Sequence, residues 1–267
     1  LLGADGYGLY SQFMATLTLI APVLTLYVDA GLVRYLAGEA DGRTVSGQYF
    51  AALVLVLLES LIAAYVIGSI APSQVSLWIW GDTGYVTYAR WLALALVPAA
   101  CNLVALALYQ ARREFRYTVG VQVGKSAAQL VVAYAAAVVG YGVLGVAIGI
   151  AATELVFLLL MLAMAVGTVG RPHFDFGSLP RLLRYSLPLL PTHLGLWLMT
   201  TGSRYVMVHY LSLQEVGVFA ASFTLGSVAG LFINPITYVL LPTASAQWRA
   251  GRAKEAVGFI DYASRLF

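Results

Sequence analysis

Cysteine and charge are both scarce in this sequence. The single cysteine, Cys101, excludes an intramolecular disulfide framework and a cysteine-based metal cluster. Charged residues make up only 10% of the chain and hydrophobic residues 61%, whereas soluble domains have about 25% and 45–50%. A soluble domain cannot bury so large a fraction of apolar residues in its core, so the composition predicts an integral membrane protein.

The two ends of the sequence also lack features of a complete chain. It begins at Leu1 rather than at a methionine, and Phe267 follows soon after a new apolar segment opens. No signal or transit peptide is recognisable. We therefore expect the sequence to be a fragment of a longer protein.

Seven apolar runs are long enough to cross a bilayer, and an eighth begins near the end. A hydrocarbon core about 30 Å thick needs about 20 helical residues. Six of the predicted spans cover approximately residues 9–28, 48–70, 86–109, 118–139, 143–168 and 186–210. The seventh follows the polar turn at 212–215, an aromatic loop is expected at 71–85, and an amphipathic link at 170–184. The predicted fold class is all-α, a polytopic membrane helix bundle.

Basic residues are distributed very unevenly between alternate loops. One set of loops contains eleven of them: Arg34, Arg43, Arg112, Arg113, Arg116, Arg171, Arg181, Arg184, Arg249, Arg252 and Lys254. The opposite loops, at 1–8, 71–85, 140–142 and 211–216, contain none. Positive loops stay on the cytoplasmic side, so the first set is predicted to be cytoplasmic. This bias explains the formal charge of +3 better than nucleic-acid binding does, and we expect no nucleic-acid partner.

Three cations lie inside the predicted spans and are candidate substrate contacts. A charge at this depth costs at least about 2.5 kcal/mol unless it faces protein or water. Arg204 either lines a cavity, where it holds a diphosphate or an acidic sugar, or extends to the outer interface. Arg90 has the same alternatives, and its position close to the surface favours the interface. Lys125 either contacts phosphate or extends to the cytoplasmic face.

Two carboxylates, Glu59 and Glu154, lie near the middle of predicted spans. They are candidates for cation coupling, with protons released on one side and taken up on the other. The alternative is a fixed structural pair, for instance with Lys125. Asp29 and Arg34 flank Gly31 near the cytoplasmic end of the first helix and are predicted to form an interfacial pair, although Arg34 is also placed to meet an incoming phosphate.

Glycine patterns and histidines suggest packing rather than catalysis. Gly140, Gly142 and Gly145 spell GxGxxG between two apolar runs, which indicates a hairpin turn and not a nucleotide site. The pair Gly145 and Gly149 predicts close helix packing. The histidines have no second ligand at metal spacing, and no catalytic set is discernible. We therefore expect no metal, no cofactor and no enzymatic activity.

Two outer turns resemble each other at a constant offset of 209 positions. Residues 2–10 (LGADGYGLY) align with residues 211–219 (LSLQEVGVF) without a gap. In the first copy a turn is predicted at 5–8, and the helix is predicted to begin at Leu9. Six spans separate the copies, so both enter the membrane in the same direction. This predicts a parallel internal repeat, with a transport site near mid-membrane where the repeats meet.

Several short motifs in this order resemble the polysaccharide transporter type of oligosaccharide flippases, often called Wzx-like, of the multidrug/oligosaccharidyl-lipid/polysaccharide superfamily. The motifs are GYGLY at 6–10, YSLPLLP at 185–191, GSRY at 202–205, EVGVF at 215–219 and LPTAS at 241–245. The resemblance covers nearly the whole chain, from about the second helix to the start of the ninth. Many relatives have Asp-Arg where this chain has Ser203-Arg204, and the missing acid favours a substrate role for Arg204.

The resemblance implies a MATE-like fold of two pseudo-symmetric lobes, with residues 1–170 in the first and 171–267 forming part of the second. It implies alternating access and a polyprenyl-diphosphate-linked oligosaccharide carried to the outer leaflet of a bacterial or archaeal plasma membrane. Membrane lipid and a coupling proton or sodium ion are the other expected partners. The alternatives are a multidrug exporter of the same superfamily and a membrane-embedded glycosyltransferase or polymerase.

Overall fold

A computed structural model of the chain describes residues 2–228, and all regular structure in this range is helical. The α-helices in chain order are α1 (Gly3–Leu24), α2 (Val28–Leu36), α3 (Gly42–Tyr65), α4 (Pro72–Trp80), α5 (Val86–Ala111), α6 (Phe115–Val139), α7 (Gly142–Val169), α8 (Leu179–Ser186), α9 (Leu190–Trp197), α10 (Ser203–Met207) and α11 (Leu213–Ser227). Of the described residues, 2–217 form one compact unit, and 218–228 belong to a second unit. The lobe boundary at 170/171 stays a prediction.

Among residues 2–228, five segments are long and apolar enough to cross a membrane. They are Gly3–Leu24, Gly42–Ile70, Thr83–Ala111, Phe115–Val139 and Gly142–Val169. These segments confirm the first five predicted spans, and the chain is an all-α, multi-pass membrane bundle. The rest of the predicted seventh span, the beginning of the eighth and the basic turn at 247–255 lie outside the described residues.

Helix α5 occupies the centre of the bundle, where it contacts α1, α2, α3 and α7. Its inner faces are rich in buried alanines, such as Ala89, Ala95, Ala100 and Ala105, which allow neighbouring helices to approach closely. Helix α6 packs mainly on α7. Most of its remaining surface is apolar and exposed, with Leu130 and Tyr134 more than 60% accessible. This is the surface expected of a helix that faces lipid.

The predicted turn at residues 5–8 is wrong, because α1 is already helical from Gly3. Gly6 and Gly8 serve close packing instead of a turn. A Cβ on Gly6 would lie 3.1 Å from Val143 Cγ2, and one on Gly8 would collide with the carbonyl oxygen of Leu213. Glycine in a helix costs up to about 1 kcal/mol relative to alanine, and here these two glycines allow close contacts with neighbouring helices.

The first helix also ends earlier than predicted, at Leu24 rather than near Val28. Leu26 and Tyr27 have φ values of 47° and 59°, a left-handed conformation that costs about 1–2 kcal/mol per residue. The Thr25 hydroxyl supports the turn, because it donates to Pro22 O at 2.9 Å and accepts from Tyr27 N at 3.2 Å. The chain then restarts as α2.

The expected aromatic loop at 71–85 is mostly the helix α4. Pro72 occupies its first turn and Gly81, with φ 75°, ends it in the left-handed conformation, the usual helix-end preferences of these residues. Trp80 is buried, and its Nε1 donates to Leu9 O at 3.2 Å. A tryptophan that finds a buried partner packs into the bundle rather than at the membrane interface.

The predicted sixth span is helical but not one regular helix. A 3₁₀ turn at Leu187–Leu189 precedes α9, and a π-helical turn at Leu198–Gly202 separates α9 from α10. Pro188 and Pro191 explain the first interruption, since proline cannot donate to the preceding turn. The segment is therefore not among the five long spans.

Candidate polar site within the membrane

A buried ion pair joins α6 to α7 in the middle of two membrane-spanning helices. Lys125 Nζ lies 3.1 Å from Glu154 Oε1 and 3.1 Å from Glu154 Oε2. The Glu154 side chain is only 4% exposed, whereas that of Lys125 is 28% exposed. The structural alternative that the sequence left open for Glu154, pairing with Lys125, is therefore present in the fold.

Two amides complete this polar cluster, which comprises Asn102, Lys125, Gln129 and Glu154. Asn102 Nδ2 donates to Glu154 Oε2 at 2.8 Å and to the backbone oxygen of Glu154 at 2.9 Å. Gln129 Nε2 donates to Glu154 Oε1 at 2.9 Å. Three side chains thus donate to one carboxylate, and hydrogen bonds to a charged group are among the stronger ones in proteins.

The cluster opens onto a pocket against α1. Lys125, Gln129 and Glu154 line about 240 Å³ together with apolar residues of α1 and α5, among them Leu17 and Leu103. On the other side, Lys125 and Asn102 line a smaller pocket of about 80 Å³. The exposed part of Lys125 therefore faces space between helices, and small polar groups can approach its ammonium group.

Local sequence explains how the cluster assembles. Lys125 and Gln129 are four residues apart on α6 and share one face of the helix. Gly149 on α7 brings the two helices together, because a Cβ there would collide with Val132 of α6. A Cβ on Gly145 would lie 3.1 Å from Ala136 Cβ of α6. These contacts bear out the close packing that was predicted for the Gly145/Gly149 pair.

Arg204 lies in α10, directly after the π-helical turn, and its side chain is half-buried. Tyr7 and Tyr205 are titratable neighbours that interact with it electrostatically. Three hydrogen bonds tie this segment to α1: Gln12 Nε2 to Arg204 O at 3.3 Å, Trp197 Nε1 to Ala15 O at 3.2 Å, and one between the Tyr205 and Thr16 hydroxyls. Arg204 does not line the pocket of the polar cluster.

The other candidate residues lie apart from the cluster. Arg90 is exposed near the start of α5. Glu59 is half-buried on α3, and its Oε2 atom has no hydrogen-bond partner within residues 2–228. Arg34 is exposed on α2 and stacks on Tyr185, with its Cζ 4.4 Å from the ring centre.

The predicted Asp29–Arg34 pair is wrong for the fold of α2. Residues five apart on a helix point about 140° away from each other. Asp29 Oδ1 instead lies 2.9 Å from Thr25 Oγ1, whose single proton is shared between this carboxylate and Pro22 O. Burial raises the pKa of the Asp29 carboxyl above its usual range, although the bond from Thr25 opposes that change. Asp29 therefore belongs to the break between α1 and α2.

Comparison with known proteins gives the family. The sequence model of a family described as polysaccharide biosynthesis protein matches residues 1–257. The chain belongs to this family. Searches of curated proteins and of solved structures found no match. Membership in the polysaccharide biosynthesis family and the five apolar helices together give a multi-pass membrane protein with a role in polysaccharide synthesis or export.

Sequence reasoning missed Asn102 and Gln129. An amide in an apolar run costs far less than a charge, so neither residue stood out. The signal was nevertheless present, since Gln129 follows Lys125 by one helical turn. No group of three or more His, Cys, Asp or Glu side chains placed to hold a metal occurs in the described part of the chain.

Proposed function

We propose that this protein is a secondary transporter that flips a polyprenyl-diphosphate-linked oligosaccharide, a precursor of cell-surface polysaccharide, from the cytoplasmic to the outer leaflet. The observation that carries the proposal is the Lys125–Glu154 pair, which lies between membrane helices and lines a pocket. Family membership supplies the link to polysaccharide synthesis. Alternating access between two lobes, in the plasma membrane of a bacterium or archaeon, is part of the proposal.

The chemistry of such a substrate requires a cationic path. A sugar diphosphate cannot enter hydrocarbon without losing its hydration, and an ammonium or guanidinium group offsets part of that loss. Lys125 is placed to do this from the pocket. Arg204, Arg34 and Arg90 are assigned as further contacts along the path, while the apolar polyprenyl tail stays in the bilayer.

The ion pair also suggests how substrate and cation binding are coupled. Lys125 has one ammonium group, so it bonds either to Glu154 or to a diphosphate, but not fully to both. When Lys125 turns to the diphosphate, Glu154 keeps only the two amide donors and takes up a proton or a sodium ion. The cation taken up at Glu154 then offsets one of the negative charges that the diphosphate brings into the buried site. Glu59 is assigned as a second coupling carboxylate.

The test is a flipping assay with the full-length protein in liposomes, using a fluorescent lipid-linked oligosaccharide and a membrane-impermeant quencher. The double variant Lys125→Ala/Arg204→Ala should abolish delivery to the far leaflet at normal protein levels. Ser126→Ala, a change at an exposed polar residue of the same helix that lines neither pocket of the cluster, should leave the rate unchanged. Full activity of the double variant would remove the cationic path.

Coupling is tested in the same liposomes by imposing proton or sodium gradients. Glu154→Gln and Glu59→Gln should each change the dependence of flipping on the gradient. Unchanged dependence would assign both carboxylates to structure alone. Two further outcomes favour the alternatives: transport of organic cations supports a multidrug exporter, and lengthening of the sugar chain by the purified protein supports a polymerase.

A further inference from the structure

Two arginines and two tyrosines interlock where α2 meets α8. Arg34 Cζ lies 4.4 Å from the centre of the Tyr185 ring, and Arg181 Cζ lies 4.2 Å from the centre of the Tyr35 ring. The two rings meet edge to face with centroids 6.1 Å apart. Each helix thus contributes one arginine that stacks on the tyrosine of the other. These four residues are called here the arginine–tyrosine ladder.

The ladder sits on a close helix contact that fixes its geometry. A Cβ on Gly31 would lie 2.7 Å from Ser186 Oγ and 3.4 Å from Leu182 Cδ2. Leu182 and Ser186 are buried, whereas Arg181 is exposed at the edge of this contact. Helix α8 is therefore amphipathic and docks on α2 through its inner face, which holds the stacked side chains in place.

Both guanidinium groups lie over the Tyr35 ring, and neither has a carboxylate partner within residues 2–228. Both Cζ atoms lie within 6 Å of the Tyr35 ring centre, Arg34 at 5.9 Å and Arg181 at 4.2 Å. Within residues 2–228 the ion pair found is Lys125–Glu154, so neither arginine is neutralised by an acid in that range. Stacking on a ring occupies the flat face of a guanidinium and leaves the N–H groups at its edge free to donate. Two cations on one aromatic scaffold, each with N–H donors at its edge, are suited to an anion that accepts from both.

We propose that the arginine–tyrosine ladder binds a phosphate-type anion on the predicted cytoplasmic side of the protein. Phosphate oxygens match the paired N–H donors of arginine, and bidentate contacts of this kind are strong and directional. Two arginines placed on one scaffold favour a diphosphate or a phosphate diester over a single carboxylate. Arg34 alone is a surface cation, and Arg181 completes the site.

Two sources present this chemistry on the cytoplasmic side. One is the diphosphate of the lipid-linked substrate, and this assignment rests on the proposed function. The other is the headgroup of an anionic bilayer lipid. The test of this binding site does not depend on flipping, because the assay measures how much anion is bound and requires no transport.

The experiment uses the full-length protein in nanodiscs of phosphatidylcholine and measures the binding of inorganic pyrophosphate by calorimetry. Retention of phosphatidylglycerol from mixed nanodiscs is measured by native mass spectrometry. The double variant Arg34→Gln/Arg181→Gln should weaken the binding of pyrophosphate, the retention of phosphatidylglycerol, or both, at least tenfold. Arg184→Gln is the matched control, since Arg184 is an exposed arginine of the same helix outside the ladder, and it should change binding less than twofold.

Pyrophosphate binding supports a diphosphate substrate, and retention of phosphatidylglycerol alone supports a bilayer lipid. Equal binding by the double variant and the Arg184→Gln control would overturn the proposal.

Chemical modification of the wild-type protein gives a second test, which does not depend on whether the double variant folds. Pyrophosphate or phosphatidylglycerol should protect Arg34 and Arg181 from phenylglyoxal several-fold more than Arg184, and equal modification of all three would also overturn it. A bound anion with no flipping would refute the proposed function and leave this site intact.

Discussion

Gly8 of α1 and Gly217 of α11 touch backbone to backbone. A Cβ on Gly8 would collide with the carbonyl oxygen of Leu213, and a Cβ on Gly217 would collide with that of Ala4. Ala4 and Leu213 are 209 positions apart, and so are Gly8 and Gly217. The contact is therefore reciprocal, as it is between elements related by a twofold axis. A reciprocal contact of this kind is what the predicted parallel repeat would produce, and the repeat itself stays a prediction.

Side chains larger than hydrogen should force this crossing apart. Gly8→Val or Gly217→Val is expected to lower the free energy of unfolding by about 1–3 kcal/mol, the usual cost of overpacking. Thermal unfolding of the detergent-solubilised protein measures the effect. Gly120→Val is the matched control, because nothing lies within 4 Å of a Cβ at that position of α6. If Gly8→Val and Gly120→Val unfold at the same temperature, the close crossing is absent in solution.

The ion pair of the polar cluster should show strong energetic coupling. Removing one partner from a buried pair costs about 3–5 kcal/mol, and the lower end is expected here because Lys125 is partly exposed. Lys125→Met and Glu154→Gln should each destabilise the protein, and the double variant should cost less than their sum. A double-mutant cycle of thermal or denaturant unfolding measures the difference. Strictly additive effects would mean that the two side chains do not interact.

The same double variant separates structure from transport. If the Lys125–Glu154 pair serves stability alone, the double variant Lys125→Met/Glu154→Gln regains both the stability and the flipping that each single variant loses. Under the exchange of partners proposed above, the double variant folds but does not flip, because no cation is left in the pocket. Flipping at the wild-type rate would contradict that mechanism.

Apolar length predicted the long spans well, because the bilayer leaves few alternatives for a run of about 20 apolar residues. The pairing of Lys125 with Glu154 was also foreseeable, since charges at such depth need partners. The breaks at Leu26, Tyr27 and Gly202 were not, because none of them interrupts the apolar run in which it lies. Hydropathy alone cannot distinguish a regular helix from one interrupted by a π-helical turn.

Polar residues without charge were the main omission at the site. Asn102 and Gln129 add little to a hydropathy profile, yet they supply two of the three side-chain donors to Glu154. The prediction of an Asp29–Arg34 pair was wrong for a different reason. Closeness in sequence was taken for closeness in space, whereas on α2 the two residues lie on different faces.

Gln12 positions the helix that carries Arg204. It is fully buried, and its Nε2 donates to Ile79 O at 3.1 Å and to Arg204 O at 3.3 Å. Gln12→Met keeps the shape and should cost about 1–3 kcal/mol through the lost donors. Gln12→Glu places an acceptor against two carbonyl oxygens and should cost more. Denaturant unfolding of both variants measures which of them loses more stability. Equal stability of Gln12→Glu and the wild-type protein would contradict these contacts.

The start of α11 should depend on pH through Glu215. Its carboxylate accepts from Ser212 N at 2.9 Å and from Ser212 Oγ at 2.8 Å, and these bonds lower the pKa of Glu215. A lowered pKa in the folded state means that the stabilisation is complete above the ordinary glutamate pKa of about 4.3. It is lost as the pH falls through the lowered pKa, where protonation removes the charged acceptor.

Amide hydrogen exchange at Ser212 measures this cap. Protection relative to the intrinsic exchange rate should fall as the pH drops below about 4. In Glu215→Gln, which keeps an oxygen acceptor without the charge, protection should be lower at neutral pH and independent of pH over this range. Because Gly217 lies only two residues further along α11, loss of the cap should also loosen the crossing with Gly8. A pH-dependent loss of protection that persists unchanged in Glu215→Gln would assign the effect to another group.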